Sequence, residues 1–426
     1  MSKENSEDKT LIPFSERLPV APHLDASGSV LDRMVHGAIE ISRRRSQIGQ
    51  SRHLVGRYEL CEPDYRQVLL WAESLGMTVD DVLVKLDIHD VGFSNYDAYT
   101  TIIDGNFDKL AIYLDDLPLE SFDWVFGLKV ESLYILSGKI PKWSRHDVFP
   151  LLNYLCVEDV VDFESCDLRA IAGLTHLEVI GTKLLEIDLS NVPNLTSLGF
   201  TGAGIKEIDL SNVPKLTRLE CASNSLREID LSSVPDLLYL DCGGNKYCGA
   251  NNIQKLNLSF VPNLTSLDCS GNNLAKLDLS FVPNLTSLNC SGNKITEIDL
   301  SKVPNLTSLK CSENNLTKLD LSTVPGLTDL HCYESQLDEL DLRPVPRLTC
   351  LCCEKNQLIE LDLNPVPGLN FLWCNDNQLT ELDLRPVPQL RRLVCVGNKL
   401  EELNISQMQY PEKLWVKADD HVRITR

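Results

Sequence analysis

The chain has 426 residues, 43% of them hydrophobic, and a formal net charge of −21 at pH 7. That charge opposes general binding to nucleic acid or anionic membranes, and no apolar run approaches the ~20 residues needed to span a bilayer. The first residues, MSKENSEDKT, are polar, so a secretory signal is not expected.

In chain order, residues 1–24 read as a flexible polar tail. Val30, Met34, Ile39 and Ile41 fit a short amphipathic helix between Ser29 and Ile48. Residues 33–57 are locally basic, with Arg33, Arg43, Arg44, Arg45, Arg52 and Arg57 against Glu40 alone. Next come a short strand, GRYELCE, and two helices. Pro63 suits the first turn of the first, Gly76 its left-handed stop, and the Thr78 hydroxyl a cap on the second. Residues 25–103 thus form a small helical N-terminal domain, whose Leu69, Leu70, Leu75, Val79, Val82 and Leu83 are expected to cover the first coil of a repeat.

The repeat fills most of the remaining chain. Between Leu174 and Ile405 one pattern recurs eleven times: Leu-x-x-Leu-x-Cys-x-x-Asn-x-Leu-x-x-Leu-Asp-Leu-x-x-Val-Pro. Val-Pro pairs from Val192 to Val387 fall 21 residues apart, except for one interval of 27 where extra residues loop out after Asn245. Weaker echoes at Leu133, Leu155 and Leu177 extend the repeat back over residues 104–173, and residues 406–426 form a C-terminal cap with a last partial strand, Leu414-x-Val416. A fixed period of this length means stacked coils, each burying its apolar face against the next. The fold class is therefore an α/β repeat solenoid.

Nine cysteines, from Cys221 to Cys395, share one register and are expected to pack as small hydrophobes. An unbroken reduced column fits a reducing compartment, so the chain reads as cytoplasmic. Secretion without a cleavable signal peptide is left open. A second column runs from Asp188 to Asp383 with Asn257 and Asn404 in register. It allows calcium held between coils, but Asp/Asn interchange favours hydrogen bonds to each carboxylate's own turn.

The pattern resembles the leucine-rich repeats, in particular the short nested bacterial class called IRREKO, because Leu264-x-x-Leu267-x-Cys269 is followed ten residues later by Leu274-x-x-Leu277-x-Leu279. The resemblance implies a concave parallel sheet and an asparagine ladder at Asn224, Asn245, Asn272, Asn293, Asn314, Asn356, Asn377 and Asn398. Ser335 and Ala203 interrupt it, so those turns are expected to be looser. The scaffold serves adhesins, effectors and regulators alike, so function must be read from its surface.

Side chains alternate along a strand, so the two residues flanking the second Leu face outward. Toward the C-terminus one such column reads Asp329, Cys350, Phe371, Arg392, Lys413, and the other His331, Cys352, Trp373, Val394, Trp415, with Tyr333 one position beyond. Aromatics beside Arg are typical of interface hot spots. The expected site for a protein partner is Tyr333, Phe371, Trp373, Arg392, Val394, Lys413 and Trp415; the competing reading folds Trp415 and the tail over Trp373 as a cap. Asp329, His331, Cys350 and Cys352 are a weak metal candidate, because a flat sheet splays them.

The segment from Gly56 to Ile88 resembles ribbon-helix-helix DNA-binding proteins, in which two chains pair their strands. That resemblance implies base contacts from Arg57, Glu59 and Cys61 and phosphate contacts from Arg43, Arg44, Arg45 and Arg52. It is the alternative to an interaction scaffold of bacterial type, one version of which is a secreted effector. No catalytic triad, phosphate loop or cofactor motif is present. Neither an enzyme nor a cofactor is expected.

Overall fold

The computed structural model describes residues 52–425 apart from 56–57, 87–99, 104–105, 114–129, 140–150, 162–167, 185, 245–248, 250 and 410–412. The expected tail and amphipathic helix, with Arg33, Arg43, Arg44, Arg45 and Arg57, lie outside the described residues. Arg52–Arg426 forms one compact unit.

That unit opens with a hairpin, β1 (Arg52–Val55) antiparallel to β2 (Tyr58–Cys61), followed by helix α1 (Glu62–Leu75) and helix α2 (Val79–Lys85). Proline sits in the first turn of α1, and Gly76 at φ 63° ends it by donating to the Ala72 and Glu73 carbonyls. At α2, the Thr78 hydroxyl accepts from the Asp81 N–H at 3.1 Å while the Asp81 carboxylate accepts from the Thr78 N–H at 3.2 Å, a reciprocal cap.

The buried face of α1 differs from the expected one. Val68, Trp71 and Ala72 are buried, whereas Leu70 is exposed and Leu69 only half-buried. Spacing of three and four residues places Val68, Trp71, Ala72 and Leu75 on one stripe. They join Leu60, Val82 and Leu83 in a single core with Leu110, Ile112 and Leu133 of the first coils.

The solenoid is a 16-stranded sheet. It starts with β3 (Thr101–Ile103) antiparallel to β4 (Asn106–Tyr113), after which every neighbour is parallel. The wider early strands are β5 (Ser132–Lys139), β6 (Tyr154–Val161) and β7 (His176–Ile180). Three-residue strands come next: β8 (Ser197–Gly199), β9 (Arg218–Glu220), β10 (Tyr239–Asp241), β11 (Ser266–Asp268), β12 (Ser287–Asn289) and β13 (Ser308–Lys310). Then come β14 (Asp329–His331), β15 (Cys350–Cys352), β16 (Phe371–Trp373) and β17 (Arg392–Val394). After β18 (Glu402–Asn404), β19 (Trp415–Lys417) closes the large sheet and β20 (Arg423–Thr425) pairs with β18 in a separate ladder.

Each coil buries the same set. From Leu285 it is Leu285, Leu288, Cys290, Ile295, Leu300 and Val303, none more than 2% exposed. Burying a Leu, Ile or Val side chain is worth roughly 1.5–3 kcal/mol, and the next coil supplies the opposing wall. The nine column cysteines are buried at 0–1% exposure, as small apolar residues should be. Burial pushes the thiols of Cys221, Cys269, Cys311, Cys332, Cys353 and Cys374 well above their ordinary range, which makes them inert.

Three polar ladders satisfy the turns. The asparagine side chains bridge coils: Asn314 Oδ1 accepts from the Ile295 N–H at 3.0 Å and its Nδ2 donates to the Cys290 and Cys311 carbonyls. In the long interval this role belongs to Asn251 rather than Asn245, with Oδ1 accepting from Leu226 N–H and Nδ2 donating to the Cys221 and Cys242 carbonyls. The six extra residues therefore enter before the ladder asparagine, not after it. The Asp column is structural: Asp188, Asp209, Asp278 and Asp320 each accept from the N–H two residues on, and Asn257 and Asn404 do the same. A third ladder was not anticipated: the hydroxyls of Thr196, Thr217, Thr286, Thr307, Thr328 and Thr349 each donate to the carbonyl one coil earlier.

The two interrupted rungs behave differently. At Ala203 the backbone substitutes, its carbonyl accepting from the Leu184 N–H at 2.9 Å, so that turn is not loose. At Ser335 the hydroxyl is buried with no hydrogen-bond partner among the described residues.

Candidate functional site

Parallel pairing in strict register turns the outward positions into two columns along the concave face. Cys350, Phe371 and Arg392 are successive partners in one column, and Cys352, Trp373 and Val394 in the other. The final strand departs from expectation. An interval of 21 residues would place Leu414 against Leu393 and Trp415 beside Val394. Instead Val416 pairs with Leu393, Trp415 with Arg392, and Lys417 with Val394. The last interval thus carries two extra residues, which carry Trp415 into the other column and leave Lys413 ahead of the strand.

The aromatic side chains remain together despite that shift. Phe371 is 39% exposed, Trp373 41% and Trp415 54%. With Arg391, Arg392, Val394 and Lys413 they line a recess of about 660 Å³. Its apolar lining comes from Phe371, Trp373, Val394 and Trp415, while Leu372 and Leu393, which alternate with them, are buried on the opposite face of the sheet. The Arg392 guanidinium lies 6.0 Å from the centre of the Phe371 ring, a cation over an aromatic face. Arg391 and Lys417, not anticipated from the sequence, add positive charge on an otherwise acidic chain. Tyr333 does not join this group: it follows β14, is half-buried, and its N–H donates to the Ser312 hydroxyl at 3.1 Å.

Next to the recess stands a polar cluster. Asp329 and Cys350 are register partners, as are His331 and Cys352. The side chains do not splay. His331 Nε2 lies 3.1 Å from Asp329 Oδ1 and 4.0 Å from Cys350 Sγ, and the ligand atoms of His331, Cys350 and Cys352 all fall within 4.8 Å of one another. Cys352 faces outward yet is only 4% exposed, flanked in register by His331 and Trp373. Hydrogen bonding to Asp329 raises the His331 imidazole to about 9. Hydrogen bonds from Cys352 and His331 hold the Cys350 thiol down at about 6, while the bond to Cys350 and burial push Cys352 up.

Further back, the concave face is less bland than its serines suggest. The Arg218 guanidinium lies 3.8 Å from the Tyr239 ring centre and pairs with Glu220. At the first coils Tyr134 and Tyr154 stack at 5.2 Å, and the Tyr154 hydroxyl donates to Glu178 at 2.7 Å.

The described part of the N-terminal segment gives the DNA alternative no support. β2 pairs with β1 of the same chain in a two-stranded antiparallel hairpin, where the resemblance implied a single strand. Leu60 and Cys61 are buried, so Cys61 is not available to a groove, and Arg52 is described only as the first residue of β1. Among the described residues no helix is long and apolar enough to cross a membrane.

Residues 262–302 match the family profile of leucine-rich repeats in two copies. No curated protein matches the chain. Among solved structures, the functional domain of InlJ from Listeria monocytogenes, which includes a cysteine ladder, is 31% identical over 62% of this chain and 64% of that one, with a TM-score of 0.53. This chain therefore spans slightly less than two thirds of that domain. An internalin, InlF, from Listeria monocytogenes strain 4b F2365 is 24% identical over 68% of this chain and 86% of its own, with a TM-score of 0.58. YopM from Yersinia enterocolitica WA-314 is 23% identical over 76% and 74%, with a TM-score of 0.51. Residues 262–302 are thus similar to leucine-rich repeats, and the solenoid as a whole has the leucine-rich-repeat fold that these bacterial proteins share.

Proposed function

We propose that the chain is a protein-interaction scaffold that holds a protein partner in the C-terminal recess of its concave face. The observation that carries this reading is the gathering of three exposed aromatic rings and several cations in one concavity. Soluble proteins seldom leave such a patch bare, and aromatic and Arg side chains dominate binding energy where interfaces have been dissected. Phe371, Trp373, Val394 and Trp415 would bury against an apolar protrusion of the partner. Arg391, Arg392 and Lys413 would face its acidic rim, and Tyr333 would contact only a partner large enough to cover β14 as well. A partner so charged is steered toward this end of an acidic chain by local attraction. Action as an effector outside the producing cell is one setting for such a scaffold.

The test is a pull-down from nuclease-treated lysate, comparing the intact chain with Trp373→Ala/Trp415→Ala. A protein kept by the intact chain and lost from the variant, with thermal melting unchanged, supports the recess. Identical retention by both baits refutes it.

A further inference from the structure

We propose that Asp329, His331, Cys350 and Cys352 form a binding site for a thiolate-preferring divalent metal, with zinc as the fitting ion, between β14 and β15. Two adjacent strands supply two donors each, and register sets them in a square. In a tetrahedral zinc site with metal–sulfur and metal–nitrogen bonds of about 2.3 and 2.0–2.1 Å, the sulfur–nitrogen edge is roughly 3.5 Å. Cys350 Sγ and His331 Nε2 already stand 4.0 Å apart, and the donor atoms of His331, Cys350 and Cys352 lie within 4.8 Å of one another. Small side-chain rotations would close the cage. The fourth donor is at hand, because Asp329 Oδ1 lies 3.1 Å from the same imidazole nitrogen.

The donor chemistry narrows the ion. Two sulfurs and an imidazole disfavour magnesium and calcium, which take oxygen ligands, and suit zinc. The position also separates these cysteines from the nine of the core column, which are buried on the opposite face of the sheet at 0–1% exposure. A further observation points the same way. Glu354 follows the next column cysteine, and its Oε2 is buried with no hydrogen-bond partner among the described residues. A cation held at Cys352, two residues before Glu354 in the chain, would help offset that buried carboxylate. On binding, any thiol still protonated passes its proton to solvent and the imidazole nitrogen gives up its proton to bond the metal; no electron is transferred. The bound ion would tie β14 to β15 next to Trp373. This site does not depend on the partner reading of the recess.

Cobalt(II) is the probe. The full chain, stripped with a chelator under reducing conditions, is titrated with cobalt and then with zinc, following thiolate-to-cobalt charge-transfer and visible absorption bands. The expected result is a band that saturates at one equivalent and is abolished by zinc. Cys350→Ser and Cys352→Ser should each weaken cobalt binding at least 10-fold, and His331→Gln should weaken it too, while circular dichroism melts stay close to the intact chain's. Absence of a thiolate–cobalt band in the folded chain overturns the proposal. So does an unchanged band in a folded Cys350→Ser or Cys352→Ser chain, or a band that arises only after unfolding, when the column thiols become accessible.

Discussion

Trp415 lies directly opposite Arg392 in the last pair of the long ladder. Arg392 therefore sits between Phe371 and Trp415 in a single outward column, its guanidinium 6.0 Å from the Phe371 ring centre. Replacing Arg392 with Ala should remove both a cation and a packed wall between the rings. A hot-spot truncation of about 2 kcal/mol corresponds to roughly 30-fold in Kd. Titration of the captured partner should show that loss, with the thermal midpoint of the free chain unmoved.

Outward and inward residues of one strand should part company. Trp373→Ala removes a ring that is 41% exposed and should cost only about 1 kcal/mol. Leu372→Ala, one residue away and fully buried, should cost about 2–5 kcal/mol through lost burial and a cavity. Denaturant melts of both variants check the contrast. A large loss from Trp373→Ala would mean that the ring supports the fold rather than a partner.

Ser335 occupies a rung where asparagine makes three or more bonds elsewhere. Ser335→Asn should let the side chain accept from the neighbouring coil and donate to its carbonyls, raising stability by about 1–2 kcal/mol. Asn314→Ala should do the reverse and cost about 2–4 kcal/mol, because buried backbone groups lose their partners. Thermal midpoints of the two variants should move in opposite directions.

Asp241 carries a pH-dependent penalty. Burial, with Asp268 opposite it in register, raises its carboxyl to about 6. A folded-state value above the unfolded one means that the folded chain binds more protons between about pH 4 and 6. This group therefore favours folding below that window, and its contribution is lost as pH rises through 6. Asp241→Asn keeps an oxygen to accept from the Gly243 N–H and removes the charge. The variant should melt higher than the intact chain at pH 7.5 and show no advantage near pH 4.

The coils are legible in the sequence because burial repeats. Leu, Val-Pro and Cys recur at positions where only small or branched apolar groups fit between neighbours, so Cys290 and Cys311 can be placed inside without coordinates. The Asp column can be read as structural because Asn257 and Asn404 share its role. Counting fails where spacing changes. Six inserted residues move the ladder role to Asn251, and two more before β19 carry Trp415 across to the column of Arg392. On α1 the apolar residues point to the right kind of contact, but the buried stripe is Val68, Trp71 and Ala72 rather than Leu69 and Leu70. The gathering of His331 with Cys350 and Cys352 depends on rotamers, which residue spacing does not encode. Neither does it show that Cys352, an outward position between His331 and Trp373 in register, is buried.

The most direct test of the central claim is site-specific photo-crosslinking to the captured partner. A photoreactive side chain at Val394, within the recess, and a second at Ser287, on the same face several coils away, would be compared in otherwise intact chains. A partner crosslinked from position 394 and not from 287 is the predicted result. Equal crosslinking from both, or from 287 alone, would contradict the assignment of the recess as the binding site.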